Sequence, residues 1–185
     1  MVERMGLQLM KYAAGFSMIE VLVTIVILLV GLLGLAALHG RANAAEMESY
    51  QRSQALILLS DMVNRINANR KFTMDYVDGS APYVGGTGNL TDCAGLTGVT
   101  LDLCQWGNML EGAAESNAGA NIGAMIGARG CITYDAGTDA YTVSVAWQGL
   151  VQTAAPAGNT CAQGQYGDDT QRRVVSATLR IADLS

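Results

Sequence analysis

The sequence predicts an α+β protein in which one long N-terminal helix packs on a small antiparallel β-sheet. An apolar run near the N-terminus continues into a polar stretch with helical periodicity. A glycine-rich segment follows, and the C-terminal part alternates apolar and polar residues with the period of two that is typical of strands. These three patterns define the fold class before any motif is considered.

The apolar run extends from Val21 to Leu38 and contains no charged residue. A helix of roughly 20 apolar residues spans a bilayer, so we predict a hydrophobic transmembrane or assembly helix over residues 16–40. Glu20 is unusual because it lies in this stretch with no basic residue beside it. An ionised carboxylate at the membrane centre costs roughly 2.5–3.5 kcal/mol, and less near the interface, so Glu20 is expected to have a cationic partner.

A short segment with two basic residues precedes the apolar run and ends in Ala13-Ala14-Gly15. In an ordinary secretory signal the cleavage site follows the apolar region, whereas here the small residue precedes it. Cleavage after Gly15 would remove residues 1–15 as a leader and keep the apolar helix. The new amine at Phe16 would then lie four residues from Glu20 and pair with less strain across two packed helices, since a buried charge is tolerated when paired.

The residues Gly15-Phe16-Ser17-Met18-Ile19-Glu20, directly before the apolar run, resemble the class III signal of type IV pilins and pseudopilins. In that family the prepilin peptidase, a membrane aspartyl peptidase, cuts after the glycine and methylates the new phenylalanine. The glutamate is implicated in docking a new subunit through the amine of a neighbour. The resemblance therefore implies cleavage between Gly15 and Phe16, N-methylation of Phe16 and an assembly role for the charge of Glu20.

The orientation of the chain follows from Arg4 and Lys11, which precede the apolar run. Basic residues favour the cytoplasmic side of a membrane. We therefore expect a single-pass protein of the inner membrane with its C-terminal domain in the periplasm. The resemblance implies that it later becomes part of a pilus on the cell surface.

The stretch after the apolar run continues the helical pattern. It contains no proline or glycine from position 43 to 69, and apolar residues recur at helical spacing. Glu48 precedes Arg52 by four residues, the better order for an ion pair on a helix. We predict one helix from about Ser17 to about Asn69, whose amphipathic continuation (residues 41–70) covers the sheet. A free coiled-coil stalk is the alternative.

Residues 71–130 are rich in glycine and predict a loop region between helix and sheet. One part of this segment is expected to be ordered, because apolar residues between positions 101 and 110 fall near helical spacing. Thr100 and Asp102 are candidate caps for this piece. We predict a short helix from about residue 101 to 115.

Residues 131–185 predict an antiparallel sheet of three strands with a long disulfide-tied loop. A turn at 135–139 joins the first strand to a half-buried strand. The core-facing residues of that second strand are Tyr141, Val143, Val145 and Trp147. A further alternating strand runs from Arg173 to Ile181. Type IV pilins share this architecture, and the size and strand-rich end are more similar to a minor pilin of the PilV kind than to a major pilin.

Four cysteines, all after the apolar run, predict two disulfides in an exported domain. Four cysteines allow three pairings. We favour Cys93–Cys104, which closes a local loop at the short helix, and Cys131–Cys161, which ties the first strand to the long loop. A zinc site is the alternative, but the sequence contains no Cys-x-x-Cys pair.

Composition argues against nucleic-acid binding and against catalysis. The formal net charge is −5 and no cluster of Lys or Arg is present, which makes a phosphate backbone a poor partner. His39 is the only histidine and lies at the predicted membrane boundary, so no Ser-His-Asp or Cys-His set is possible in the C-terminal domain. We expect no enzyme activity, no catalytic residue, no metal and no cofactor.

The resemblance implies a minor pilin, a non-enzymatic subunit that helps to initiate type IV pilus assembly in a tip complex, and hence twitching motility and adhesion. The expected partners are other minor pilins and the major pilin through N-terminal helix packing, the prepilin peptidase, the inner-membrane assembly machinery and, as a further candidate, a tip adhesin. A pseudopilin of a type II secretion system is the alternative. A single-pass anchored periplasmic binding domain is the third hypothesis, and it leaves Glu20 unexplained.

Overall fold

A computed structural model of the chain describes residues 15–77, 83–112, 116–117, 120–121 and 125–181. The molecule divides into two compact units, Met1–Asn43 and Ala44–Ser185, which are described separately. The predicted long helix is confirmed as α1, which runs over Met18–Ala68. In the first unit, every residue from 15 to 43 is exposed.

Within its described residues, the second unit adds a further α-helix, six strands and two 3-10 helices. The helices are α2 (Gly98–Leu110) and the 3-10 helices Arg70–Tyr76 and Asp169–Gln171. The strands are β1 (Val84–Gly85), β2 (Ser116–Asn117), β3 (Ala120–Asn121), β4 (Arg129–Asp135), β5 (Ala140–Gln148) and β6 (Arg172–Leu179). The main sheet is antiparallel with the order β1-β4-β5-β6, and β2 pairs with β3.

The second part of α1 buries one stripe of side chains. These side chains, spaced by three or four residues, are Ala55, Leu59, Met62 and Ile66, and none is more than 4% exposed. They share one core with Val143, Val145 and Trp147 from β5. Burial of a large aliphatic side chain contributes about 1.5–3 kcal/mol, so this contact accounts for much of the stability of the unit. The predicted α+β fold class is confirmed.

The short helix α2 differs in its bounds from the prediction of residues 101–115. It begins at Gly98 and ends at Leu110, with Thr97 as its N-cap residue and no side-chain cap bond. The end is set by Gly112, whose φ of +84° is the left-handed conformation that commonly terminates a helix. The predicted cap residues Thr100 and Asp102 lie inside the helix instead.

Asp102 connects α2 to α1 and to the following 3-10 helix. Arg65 Nη1 donates to Asp102 Oδ1 at 2.9 Å, Asn69 Nδ2 donates to Oδ2 at 2.8 Å, and the Tyr76 hydroxyl donates to the same oxygen. Burial and the bond to Asp102 raise the pKa of Tyr76 from 10.0 to about 12. The folded state favours the neutral phenol. The stabilisation of the fold by neutral Tyr76 is therefore complete below pH 10 and is lost as the pH rises through 12.

The sheet contains more than the three predicted strands. β1 lies in the segment predicted to be loop, and β4 begins at Arg129 rather than at residue 131. Two residues are too few to show a period of two, which is why the sequence pattern misses β1. The predicted hairpin is confirmed, since β4 and β5 pair in continuous register across the turn at residues 136–139.

β5 is buried on both faces, which corrects the prediction of a half-buried strand. Val143 and Val145 face the core shared with α1, while Ser144 and Ala146 on the opposite face are also buried. The loop after β5 covers that second face, and Asn159 Nδ2 donates to Ser144 Oγ at 2.9 Å. Thr142, Ser144 and Gln148 are residue types that are mostly exposed, and their alternation with larger apolar residues predicted an exposed face.

Glu48 does not pair with Arg52, contrary to the prediction from their spacing. Its Oε1 accepts hydrogen bonds from Arg173 Nη2 at 3.0 Å, Leu150 N at 3.1 Å and Val151 N at 3.3 Å. All three donors lie more than 100 residues away in the sequence. A surface ion pair at i,i+4 contributes only about 0.3–0.5 kcal/mol to stability. Glu48 therefore accepts the three hydrogen bonds from distant donors instead of pairing with Arg52.

The close approach of β4 to Trp106 yields a stability prediction. Trp106 is fully buried, its Nε1 donates to Leu58 O at 2.9 Å, and a Cβ at Gly130 would lie 2.2 Å from its ring. We predict that Gly130→Ala lowers the free energy of unfolding by about 1–3 kcal/mol, because neither the strand nor the ring can move without strain. Denaturant unfolding of the oxidised protein measures this.

Gly107→Ala is the matched control for that substitution. A Cβ at this helical position meets no heavy atom closer than 3.7 Å. The change is expected to leave stability unchanged or to raise it by up to about 1 kcal/mol, because alanine is the better helix former. Equal unfolding free energies for the two variants would contradict the proposed role of Gly130.

Candidate functional site

The first unit places the predicted cleavage site and assembly charge at the start of α1. Gly15 and Phe16 precede the helix and Glu20 lies in its first turn. The carbonyl of Ser17 accepts hydrogen bonds from the N–H of Glu20 at 3.0 Å and of Val21 at 3.2 Å, which identifies Ser17 as the helix start. The Gly15–Phe16 bond is therefore exposed and non-helical, as cleavage by a peptidase requires.

The Glu20 carboxylate has only local support from the structure. Its position in the first helical turn places it at the positive end of the helix dipole, which contributes about 0.3–1 kcal/mol. It is exposed, and within residues 15–77 and the other described ranges its carboxylate forms no hydrogen bond or ion pair. The dipole is too weak to offset the roughly 2.5–3.5 kcal/mol of full burial in a membrane. Glu20 therefore needs a cationic partner to enter an apolar environment.

Apolar side chains cover every side of α1 from Met18 to Leu38. All of them are exposed, with Ile19 and Leu33 each at 70%. Among the helices of the described ranges, α1 is the one long and apolar enough to cross a membrane. A helix that is apolar on all sides is buried in lipid or among other helices. Neither this surface nor the Glu20 carboxylate has a partner among the described residues.

The second unit carries two disulfides. Cys93 is bonded to Cys104 with the Cα atoms 5.9 Å apart, and Cys131 is bonded to Cys161 with the Cα atoms 5.8 Å apart. The first bond joins the segment before α2 to α2 itself. The second joins β4 to the loop after β5 and lies in the cluster that covers the second face of the sheet. Both bonds fasten glycine-rich segments that have few apolar side chains of their own.

Arg172 organises the loop that carries Cys161, and the sequence reasoning missed it. Its side chain is only 1% exposed and forms two bonds to the Asp169 carboxylate, at 2.6 and 2.9 Å. It also donates to the carbonyls of Asn159 at 2.8 Å and Cys161 at 3.1 Å. The hydrogen bonds from Arg172 lower the pKa of Asp169. The signal in the sequence was the acid-to-base spacing of three residues, which is too common to single out a buried pair.

The described residues offer little for catalysis. They contain no group of three or more His, Cys, Asp or Glu side chains that could hold a metal ion. A groove of about 390 Å³ lies between α1 and β6, where Glu48 and Arg173 already neutralise each other. A second groove of about 710 Å³ is lined by uncharged residues, among them Tyr83, Thr142 and Gln163. Neither groove brings a nucleophile and a base together.

Comparison with known protein families supports the N-terminal part of the site. A family described as the prokaryotic N-terminal methylation motif matches residues 10–36, a range that includes Gly15, Phe16 and Glu20. The chain therefore carries the leader motif of type IV pilin-like proteins and pseudopilins, which are structural and non-enzymatic. No curated protein and no solved structure matches the chain.

The arrangement of the cysteines yields a prediction for the exported protein. Because the partner sulfurs are already adjacent in the fold, we expect all four cysteines to be oxidised as Cys93–Cys104 and Cys131–Cys161. Proteolysis without reduction, followed by mass spectrometry, identifies the linked peptides. A peptide that links Cys93 to either of the two distal cysteines would refute this pairing, and the same digest after reduction is the control.

Proposed function

We propose that this chain is a minor pilin, a non-enzymatic subunit of the type IV pilus. One observation carries the proposal. Within a single methylation motif, an exposed Gly15–Phe16 bond is followed by Glu20 in the first turn of a helix that is apolar on all sides. A plain membrane anchor has no use for that carboxylate, whereas a subunit that pairs with its neighbour requires it.

The proposed mechanism has two steps. The prepilin peptidase cleaves after Gly15 and methylates Phe16, which leaves a charged N-terminal amine at the start of α1. During assembly, α1 leaves the membrane and packs among neighbouring helices, and Glu20 pairs with the Phe16 amine of an adjacent subunit. Two unit charges 4 Å apart attract by about 1 kcal/mol in water and about 4 kcal/mol at an effective dielectric constant of 20. This attraction offsets part of the cost of removing the two charges from water, so Glu20 is tolerated in the apolar filament core only when it is paired.

The second unit has the features of a domain built for the cell exterior. Two disulfides and the buried Arg172–Asp169 pair stabilise its loops, and oxidised cysteines persist in exported proteins. We place the domain in the periplasm while α1 crosses the inner membrane, and later on the pilus. Its partners in this proposal are other minor pilins, the major pilin, the prepilin peptidase and the inner-membrane assembly machinery. The roles in assembly initiation, twitching motility and adhesion rest on the resemblance to minor pilins of the PilV kind.

A pseudopilin of a type II secretion system is the second candidate, because the methylation motif fits both classes equally. The two classes differ in the process that the subunit supports, which is surface piliation for a pilin and exoprotein secretion for a pseudopilin. Deletion of the gene separates them: loss of surface pili with normal exoprotein secretion supports the pilin. The reverse pattern supports the pseudopilin.

Processing provides the first prediction from this proposal. In cells with the prepilin peptidase, we expect a mature chain that begins at N-methylated Phe16. In cells without it, the full chain should keep its leader. Intact-mass measurement and N-terminal sequencing of the purified protein check both. A mature chain cut at another position would leave Glu20 without its amine partner and would contradict filament assembly.

Substitution of the assembly charge provides the second prediction. Glu20→Ala is expected to be cleaved and inserted normally, but its share of the filament fraction should fall roughly tenfold, the effect of losing about 1.4 kcal/mol. Immunoblots of sheared filaments and membranes measure this share. Glu46→Ala, at an exposed position later on the same helix, is the matched control and should assemble like the wild type. Normal assembly of Glu20→Ala would refute the role assigned to Glu20.

A further inference from the structure

β6 is the last strand of the main sheet and pairs with β5 on one side. Two hydrogen bonds show which of its backbone groups point outward. Gly149 N donates to Gln171 O, across to the β6 side, whereas Gln148 N donates to Ile126 O on the other side. Bonded and non-bonded pairs alternate in an antiparallel ladder. The continuous register therefore turns the N–H and C=O groups of Val174, Ser176 and Thr178 away from β5.

This outer edge lacks the usual protection of an edge strand. The loop after β5 covers the segment directly before β6, where Thr153 N donates to Thr170 O. Beyond that point, no backbone hydrogen bond in the described ranges reaches the outer side of Val174, Ser176 or Thr178. The stretch from 174 to 179 contains no proline, charge or bulge. Natural proteins use these devices to block strand addition, so an edge without them is suited to accept another strand.

The positive charge of Arg52 beside this edge indicates that the added strand carries a negative charge. The groove of about 390 Å³ between α1 and β6 borders Val174 and is also lined by Arg52. Arg52 is exposed, and in the part of the chain that the structure describes it has no ion pair or hydrogen bond, since Arg173 takes its expected partner Glu48. The Arg52 guanidinium is a positively charged donor, so the complementary group is an acceptor with negative charge.

We infer that an extended segment of a neighbouring filament subunit adds to the outer edge of β6 and places a carboxylate against Arg52. The inference rests on the proposed function, because the neighbour is another subunit of the same filament. An anionic lipid would satisfy Arg52 but offers no backbone for Val174, Ser176 and Thr178. The strand edge and the cation together specify an acidic polypeptide segment.

Hydrogen exchange at single-residue resolution tests the strand addition. In the full chain purified in detergent, we expect the amides of Val174, Ser176 and Thr178 to exchange roughly 100-fold faster than those of the inward-facing residues, because only the latter are hydrogen-bonded. In filaments isolated from cells, the outward amides should become as slow as the inward ones. The inward amides, at Val175, Ala177 and Leu179, are the internal control. Fast exchange of the outward amides in the filament would overturn the inference.

Matched variants test the two components of the site. Ser176→Pro removes the outward N–H, whereas Ser176→Ala keeps it; Arg52→Glu reverses the charge, whereas Arg52→Lys keeps it. We expect the filament share of the full chain to fall at least tenfold for the first member of each pair and to be unchanged for the second. Thermal melting and disulfide mapping verify folding. If Ser176→Pro fails to fold, Arg52→Glu, at an exposed helical position, decides the outcome.

The results separate this inference from the proposed function. Loss of assembly in Glu20→Ala together with normal assembly of Ser176→Pro and Arg52→Glu would refute the β6 site and leave the pilin assignment intact. Failure of the wild-type chain to mature at Phe16 would refute both. If Arg52→Glu abolishes binding to vesicles of anionic phospholipid while the outward amides stay unprotected, Arg52 contacts the membrane and the inference is wrong.

Discussion

The packing of the α1 stripe on β5 is the interaction on which the second unit depends. It supplies most of the apolar burial, but apolar side chains alone do not define one register of a helix on a sheet. Polar contacts at three heights of α1 define it. Glu48 binds Arg173 and the loop after β5, Leu58 O accepts the Trp106 indole, and Arg65 binds Asp102 on α2. The buried stripe thus supplies most of the free energy of packing between α1 and the sheet. The register of the helix is specified by hydrogen bonds that form in only one alignment.

The first unit differs from the second, because its apolar surface and its carboxylate have no partner within the described ranges. The apolar surface of α1 from Met18 to Leu38 is exposed, and the Glu20 carboxylate has only the helix dipole for support. In the proposed filament, packing against another helix that brings a cation satisfies both groups.

The outer edge of β6 likewise presents backbone groups that have no hydrogen-bond partner in the described ranges. At its other edge, the sheet ends in a strand of only two residues, too short to template a further strand, whereas β6 ends the sheet with eight residues and open backbone groups. Arg52 lies next to that edge and does not pair with Glu48, because Glu48 pairs with Arg173. The contact that anchors α1 to the sheet therefore also leaves a cation available for another molecule.

The sequence by itself determined the long helix, the β4–β5 hairpin, the strand near the C-terminus and the processing motif. Each of these depends on local periodicity or on adjacent residues, which a single sequence displays. Tertiary structure decided which of three cysteine pairings forms, the bounds of α2, the presence of β1 and the burial of β5 on both faces. It also decided the partner of Glu48 and the role of Arg172. The contacts of Glu48 with Arg173 and of Cys131 with Cys161 join groups from distant positions, and spacing along the chain does not specify such contacts.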